Sequence, residues 1–137
     1  MSEHLREVRV LTLAAAKSMA AAAEAFALAR GWTVAIAVVD PSGGLILLHC
    51  LDDTQPASSQ IAVEKARSAA RLRRPTKALE DAIAGGRTGM LSLGALVLEG
   101  GLPVRVAGQV VGAIGVSGMN SAQDGEVAEA GLQALQI

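Results

Sequence analysis

The order of hydrophobic patterns along the chain predicts an α/β domain of the α+β kind, a mostly antiparallel sheet covered by helices on both faces. Three observations predict it. Apolar residues recur at three- and four-residue steps near both ends of the chain, as helices require. Two short apolar runs, 34–39 and 45–50, flank the turn residues Pro41-Ser42-Gly43-Gly44, as a hairpin requires. Three further short apolar runs follow between residues 95 and 117, broken by glycines. Across 137 residues no repeat, linker or low-complexity tract intervenes. The chain therefore reads as one domain, 1–137, long enough to bury a core.

The elements follow in order. Leu5, Val8, Thr12, Ala15, Met19, Ala22 or Ala23, and Phe26 form one stripe and predict a long helix over 4–30, stopped by Gly31. Val34 to Val39 never alternates with polar residues, so this strand is expected to be buried on both faces. "LILLHC" returns as its hairpin partner. Pro56 suits the first turn of a helix carrying Ile61, Ala62, Ala66, Ala69 and Leu72, and Pro75 ends it. Thr76 is placed to cap a short helix to about Ala84. Strands are then expected around Ala95–Leu98, Pro103–Ala107 and Val110–Ser117, the last two joined tightly at Ala107-Gly108. Ser121-Ala-Gln-Asp124 has the spacing of a capping box, and Val127, Ala128, Gly131, Leu132 and Leu135 line a final helix.

Composition narrows the function. The chain is 51% apolar, yet Phe26 and Trp32 are its only aromatics, so the core must be aliphatic and alanine-rich. That scarcity argues against single-stranded nucleic acid, which is gripped by stacking bases on aromatic rings. A net charge of −1 supplies no field for nucleic acid or an anionic membrane. Cys50 is the single cysteine, which excludes an intrachain disulfide and a cysteine-based zinc site within one chain. Glu3 and Glu7 interrupt any secretory-type apolar segment, and no apolar run approaches the roughly 20 residues that span a bilayer. A cytoplasmic protein is the expectation.

The stretch "VVGAIGVSGMNSAQD" poses the functional question. A strand thinned at Gly112 and Gly115 leaves space for a helix, a second subunit or a ligand. Val111, Ala113, Gly115 and Ser117 are expected on one face. Gly118 and the residues to Asp124 then deliver the chain to a helix N-terminus, whose free N–H groups favour an anion. Lys65, Arg67, Arg71, Arg73, Arg74 and Lys77 hold half of the twelve basic residues, with no acid between Glu64 and Glu80. They read either as a solvated or subunit-facing surface or as a site for carboxylates or phosphates.

Other candidates are fewer. His4 and His49 are the only imidazoles for a metal or haem iron, and His49 is the candidate ligand. Met19, Met90 and Met119 offer sulfur but usually fill core gaps. Asp52-Asp53 reads either as a carboxylate pair for acid–base work or as a solvated loop. Cys50 and His49, as neighbours on a strand, face opposite sides and make no dyad. Ser117 lacks the strand–elbow–helix context of a hydrolase and reads as a ligand-lining hydroxyl.

"GGLPVRVAGQVVGAIGVSGMNSAQDGEVAEAGLQAL" resembles the C-terminal signature of the GlcG/HbpS family, also found as the C-terminal domain of PduO-type proteins. The resemblance continues upstream in "AIAVVDPSGGLILLH", "PASSQIAVEKARSAA" and "RRPT", so it spans nearly the whole chain. It implies a profilin-like fold with a five-stranded antiparallel sheet between helices. It further implies homo-oligomers, often octamers, and haem binding or haem degradation; some members are encoded with glycolate or propanediol metabolism. The chain departs from the family pattern at Cys50-Leu51-Asp52-Asp53-Thr54, at Arg67 and at Met119, in expected loop and pocket regions.

Three functions are consistent with these residues. The first is an oligomeric small-ligand-binding protein, with haem or a related tetrapyrrole as the ligand the resemblance implies. The second is a catabolic enzyme of the lyase or isomerase class acting on an organic acid, with Asp52, Asp53, Lys65 or Arg73 in its site. The third is a structural or regulatory oligomer without catalysis. An anionic ligand is expected where Gly100-Gly101 and the Ser117–Asp124 turn meet the helix of Lys65, Arg73 and Arg74, with Ser117, Gly118 and Asp124 contributing.

Overall fold

Thr12 decides where the first helix begins. Its backbone is extended (ψ 164°) and its hydroxyl accepts from the Ala15 N–H at 3.1 Å, so α1 runs Leu13–Ala29. The expected helix over 4–30 is thus shortened at its start. Val8, Val10 and Thr12 are β-branched and favour extended backbone, and residues 5–11 form an arm on which Leu5, Val8 and Val10 are exposed. Only Leu11 is buried there, and its N–H donates to the Val111 carbonyl at 2.9 Å. The structure, a computed structural model, describes residues 2–135.

After α1 come β1 (Ala35–Val39), β2 (Leu45–Cys50), α2 (Ser58–Leu72), α3 (Thr76–Ala84), a 3-10 turn (Thr88–Leu93), β3 (Gly101–Val106), β4 (Gln109–Ser117) and α4 (Ser121–Gln133). The sheet order is β2-β1-β4-β3, every neighbour antiparallel. Among the described residues the sheet therefore has four strands, where the sequence and the family resemblance led to five. The missing one is Ala95–Leu98. Gly94 (φ 68°) and Gly100 (φ 133°) turn the chain at both ends of that run, and the N–H of Glu99 goes to the Glu80 carboxylate at 3.1 Å.

The two faces of the sheet bury different side chains. On one, α1 and α4 pack Met19, Ala23, Val127 and Ala128 against Ile36, Val38, Ile114 and Val116. Burying a side chain the size of Ile114 stabilises by roughly 1.5–3 kcal/mol. On the other face, α2 sets Ala62, Ala66 and Ala69 against Ala35, Ala37, Val39 and Ala113. Small residues on both sides let backbones approach, and Gly115 is where they touch. A Cβ there would lie 2.5 Å from the Ala66 nitrogen and press on the Ala62 carbonyl. At Gly112 the Leu11 side chain and the Val39 carbonyl occupy the same space. Helix and arm fill the thinned strand.

Two local expectations change. A register shift pairs Val104 with Gly112 but Arg105 with Val110, so Val111 is an extra residue. The shift moves Val111 to the face of Ile114 and Val116, away from Ala113, Gly115 and Ser117. Pro75, not Thr76, precedes α3; the Thr76 hydroxyl instead accepts from the Gly101 N–H at 2.9 Å, inside the protein. The β3–β4 hairpin is as expected: Ala107 (φ 51°) and Gly108 (φ 79°) are both left-handed, as a two-residue turn matched to strand twist requires.

Candidate functional site

Lys65 belongs to the anion site expected from sequence, yet it is only 2% exposed. Its ammonium donates to the Val116 carbonyl and to Asp124 Oδ2, each at 3.0 Å. Asp124 Oδ1 accepts from the Met119 N–H at 2.9 Å. Asp124 stands in the first turn of α4, where a negative charge suits the helix dipole. It is not the capping residue. The box is made by Asn120 and Gln123, at 2.8 and 3.3 Å. Burial raises the Asp124 pKa above its ordinary value, against the pull of the Met119 N–H and the Lys65 ammonium.

The neighbours of this pair close it off. Gly100 has no room for a Cβ, which would sit 2.6 Å from the Val116 carbonyl and 2.9 Å from the Lys65 ammonium. Gly101 lies on the Lys65 carbonyl, and Gly118 on the carbonyl of Thr33. The Ser117 hydroxyl donates to that of Ser58 at 3.5 Å, both buried. The structure thus brings together Lys65, Gly100, Gly101, Ser117, Gly118 and Asp124, and it does so as an internal junction of α2, β4 and α4. Arg73 and Arg74 are not part of it. They sit past the other end of α2.

The remaining basic residues of α2 hold the β1–β2 turn. Arg67 Nε donates to the Gly43 carbonyl at 3.0 Å and Arg71 Nε to that of Ser42 at 2.8 Å. Arg67 also pairs with Glu64 at 2.9 Å. Arg74 faces a cleft of about 610 Å³ between α2, α3 and the 3-10 turn. Leu72, Leu79, Met90 and Leu93 supply its apolar walls, and Arg87 is its second cation. Sequence reasoning missed Leu79, Met90, Leu93 and Arg87 as a group, because no spacing signals that a 3-10 turn folds back over α3.

The other candidates are dispersed. Asp52 and Asp53 are exposed on the turn after β2, with Asp53 in a left-handed conformation (φ 68°), so they share no site with buried Lys65. His49 Nδ1 meets Glu24 Oε1 at 2.5 Å. His4 is exposed beside Glu3. His49 pairs with Ile36 and Cys50 with Ala35 across the β1–β2 ladder, placing the two side chains on opposite faces. Cys50 is exposed and accepts from the Ser59 hydroxyl at 3.5 Å. Met19 is buried in the core. Among the described residues no three His, Cys, Asp or Glu side chains gather to hold a metal, and no helix is long and apolar enough to cross a membrane.

Comparison with known proteins agrees with the fold. The family described as "Haem degrading protein HbpS-like" matches residues 11–133. Protein GlcG of Escherichia coli (strain K12) is 43% identical over 109 residues, which cover 79% of this chain and 81% of that protein. The crystal structure of a double mutant of Streptomyces reticuli HbpS superposes with a TM-score of 0.92 at 34% identity, covering 100% of this chain and 94% of that one. A crystal structure of a PduOC–haem complex has a TM-score of 0.83 at 24% identity, covering 92% and 95%, and shares the fold.

Proposed function

The chain belongs to the HbpS-like family of haem-degrading proteins, and from that premise we propose that it is a homo-oligomeric cytoplasmic protein that binds haem or a related tetrapyrrole. The observation that carries this reading is the cleft beside α3. A tetrapyrrole of the haem type is a flat apolar ring with two carboxylates on one edge. The cleft offers apolar walls from Leu72, Leu79, Met90 and Leu93, and two guanidiniums, Arg74 and Arg87. Its volume, about 610 Å³, lies within the range of small-molecule sites. The residues present fit the group.

In this reading Arg74 and Arg87 take the carboxylates, each charge-assisted bond contributing roughly 1.5–3 kcal/mol. The leucines exclude water from the ring. Met90 is the lining side chain with a soft donor for iron. When bound, haem would supply redox-active iron. His49 lies on β2, at the opposite edge of the sheet from the β3 strand that α3 packs on. It is held by Glu24 and stands outside the cleft.

Self-association is supported by exposed leucines. Leu45 and Leu48 lie on the edge strand β2, and Leu91 and Leu93 beside the cleft, all more than a third exposed. Apolar groups clustered at an open sheet edge and around a cleft mark contact surfaces. The octamer and the profilin-like topology implied by the family resemblance belong to the same reading. Light scattering at micromolar concentration should give a mass above the monomer.

Titration with haemin, followed in the Soret region, tests the ligand. A saturable band is expected, weakened at least tenfold in Arg74→Ala/Arg87→Ala, with Met90→Ala changing the spectrum more than His49→Ala. The absence of saturable binding overturns the proposal.

A further inference from the structure

A second cationic cavity lies at the end of the sheet where the β1–β2 and β3–β4 turns meet the arm. It encloses about 370 Å³ and is lined by Arg6, Arg9 and Arg73, with Ser42 and Gln109. These residues come from four separate parts of the chain. The Leu11–Val111 hydrogen bond anchors the inner end of the arm, Arg71 holds the Ser42 carbonyl, and Arg105 donates to the Arg73 carbonyl. Five arginines therefore surround or support one cavity.

Their charge is not answered locally. Among the described residues, the ion pairs within 4.0 Å involve none of Arg6, Arg9 and Arg73. Asp40, in the same turn, directs its Oδ1 to the Ser42 and Gly44 N–H groups at 2.8 and 2.9 Å and makes no ion pair with these arginines. Glu7 lines an adjoining hollow that shares Val8, Arg9 and Gln109 with the cavity, and it pairs with none of the three arginines within 4.0 Å. Arg73 adds an independent sign. It ends α2 in the left-handed conformation (φ 55°, ψ 41°), a position that glycine ordinarily takes. A strained backbone that keeps a guanidinium at a cavity is the kind of outlier that marks a functional site.

We propose that this cavity binds a compact polyanion carrying two or more carboxylate or phosphate groups. Arginine's planar fork takes two oxygens of either group at once, and three forks converging from different elements suit more than one anionic group. The left-handed turn at Arg73 separates it from Arg74, so consecutive arginines serve two cavities. The site is therefore distinct from the cleft assigned to haem.

Calorimetry with sodium pyrophosphate and, separately, with citrate tests the proposal on the full chain. Saturable binding of at least one is expected, and preference between them identifies phosphate or carboxylate as the recognised group. Arg9→Gln and Arg73→Gly should each weaken binding about tenfold. Glycine at 73 keeps the left-handed turn while removing the whole exposed side chain with its guanidinium, so its unfolding temperature should be unchanged or higher. Arg74→Ala/Arg87→Ala should bind the anion as wild type does. The proposal is overturned if neither anion gives saturable heat at millimolar concentration, if Arg9→Gln/Arg73→Gly retains wild-type affinity, or if binding is lost instead in Arg74→Ala/Arg87→Ala.

Discussion

Lys65 and Arg73 lie about two turns apart along α2, one 2% exposed and ion-paired, the other exposed and without a carboxylate partner among the described residues. Both come from the same basic stretch, and the stretch alone does not distinguish them. The difference lies in what each end of the helix packs against. At the Lys65 end, α4 and β4 present Asp124 and the Val116 carbonyl, so an ammonium can leave water only by pairing there. At the Arg73 end the helix stops between two turns and a surface arm, and the guanidiniums stay open to ligands. One end closes the fold; the other is available for binding.

The largest expected effect breaks the closed end. Lys65→Ala leaves Asp124 buried without its cation and should cost about 3–5 kcal/mol in urea unfolding. Replacing both charges, Lys65→Met with Asp124→Leu, should return stability to near the wild-type value, because no charge then remains inside. A single-variant loss that the paired variant fails to recover would show that the pair matters for more than charge balance. Next in size is Gly115→Ala, which drives a methyl group into the α2 backbone. It should cost about 1–3 kcal/mol by the same measurement. A neutral result would mean that α2 can lift off the strand.

The open end should respond with the opposite sign. Arg73→Gly removes the strain of a left-handed arginine and should stabilise by up to about 1 kcal/mol. A clear loss would assign Arg73 a structural role. The smallest effect concerns pH. Burial raises the folded pKa of Asp124 above 3.8. Its contribution is therefore fully present below the unfolded pKa and lost as pH rises through the folded one. Urea unfolding at a series of acidic pH values should show wild type losing stability relative to Asp124→Asn as pH rises. A relative gain would contradict the direction.

Much of the fold was legible because local patterns carried it. Turn chemistry at Ala107-Gly108 and the unbroken apolar run 34–39 located the central strands, and the poverty of aromatics predicted the alanine core. The errors arose where tertiary contacts outweighed local pattern. Leu5 and Val8 continued a helical stripe, but the Thr12 cap and the Leu11–Val111 bond drew the arm away, which hid Arg6 and Arg9. Ala95–Leu98 looks like a strand and finds no ladder. The candidate site was half legible. Glycines and the turn into α4 grouped Gly100, Gly101, Ser117, Gly118 and Asp124 with Lys65, which the structure places at one junction, but also with Arg73 and Arg74, which lie past the other end of α2. Whether the lysine faced a ligand or a carboxylate depended on a partner 59 positions away, which no spacing rule reports.

On the proposed function, Lys65 and Asp124 hold the fold while the arginines beside α3 hold the ligand. Haemin titration followed at the Soret band tests it most directly, using two variants that should both fold. Lys65→Met/Asp124→Leu should bind haemin with wild-type affinity, and Arg74→Ala/Arg87→Ala should bind at least tenfold more weakly. Loss of binding in the first variant with retention in the second would contradict it, placing the ligand at the Lys65–Asp124 end of the sheet.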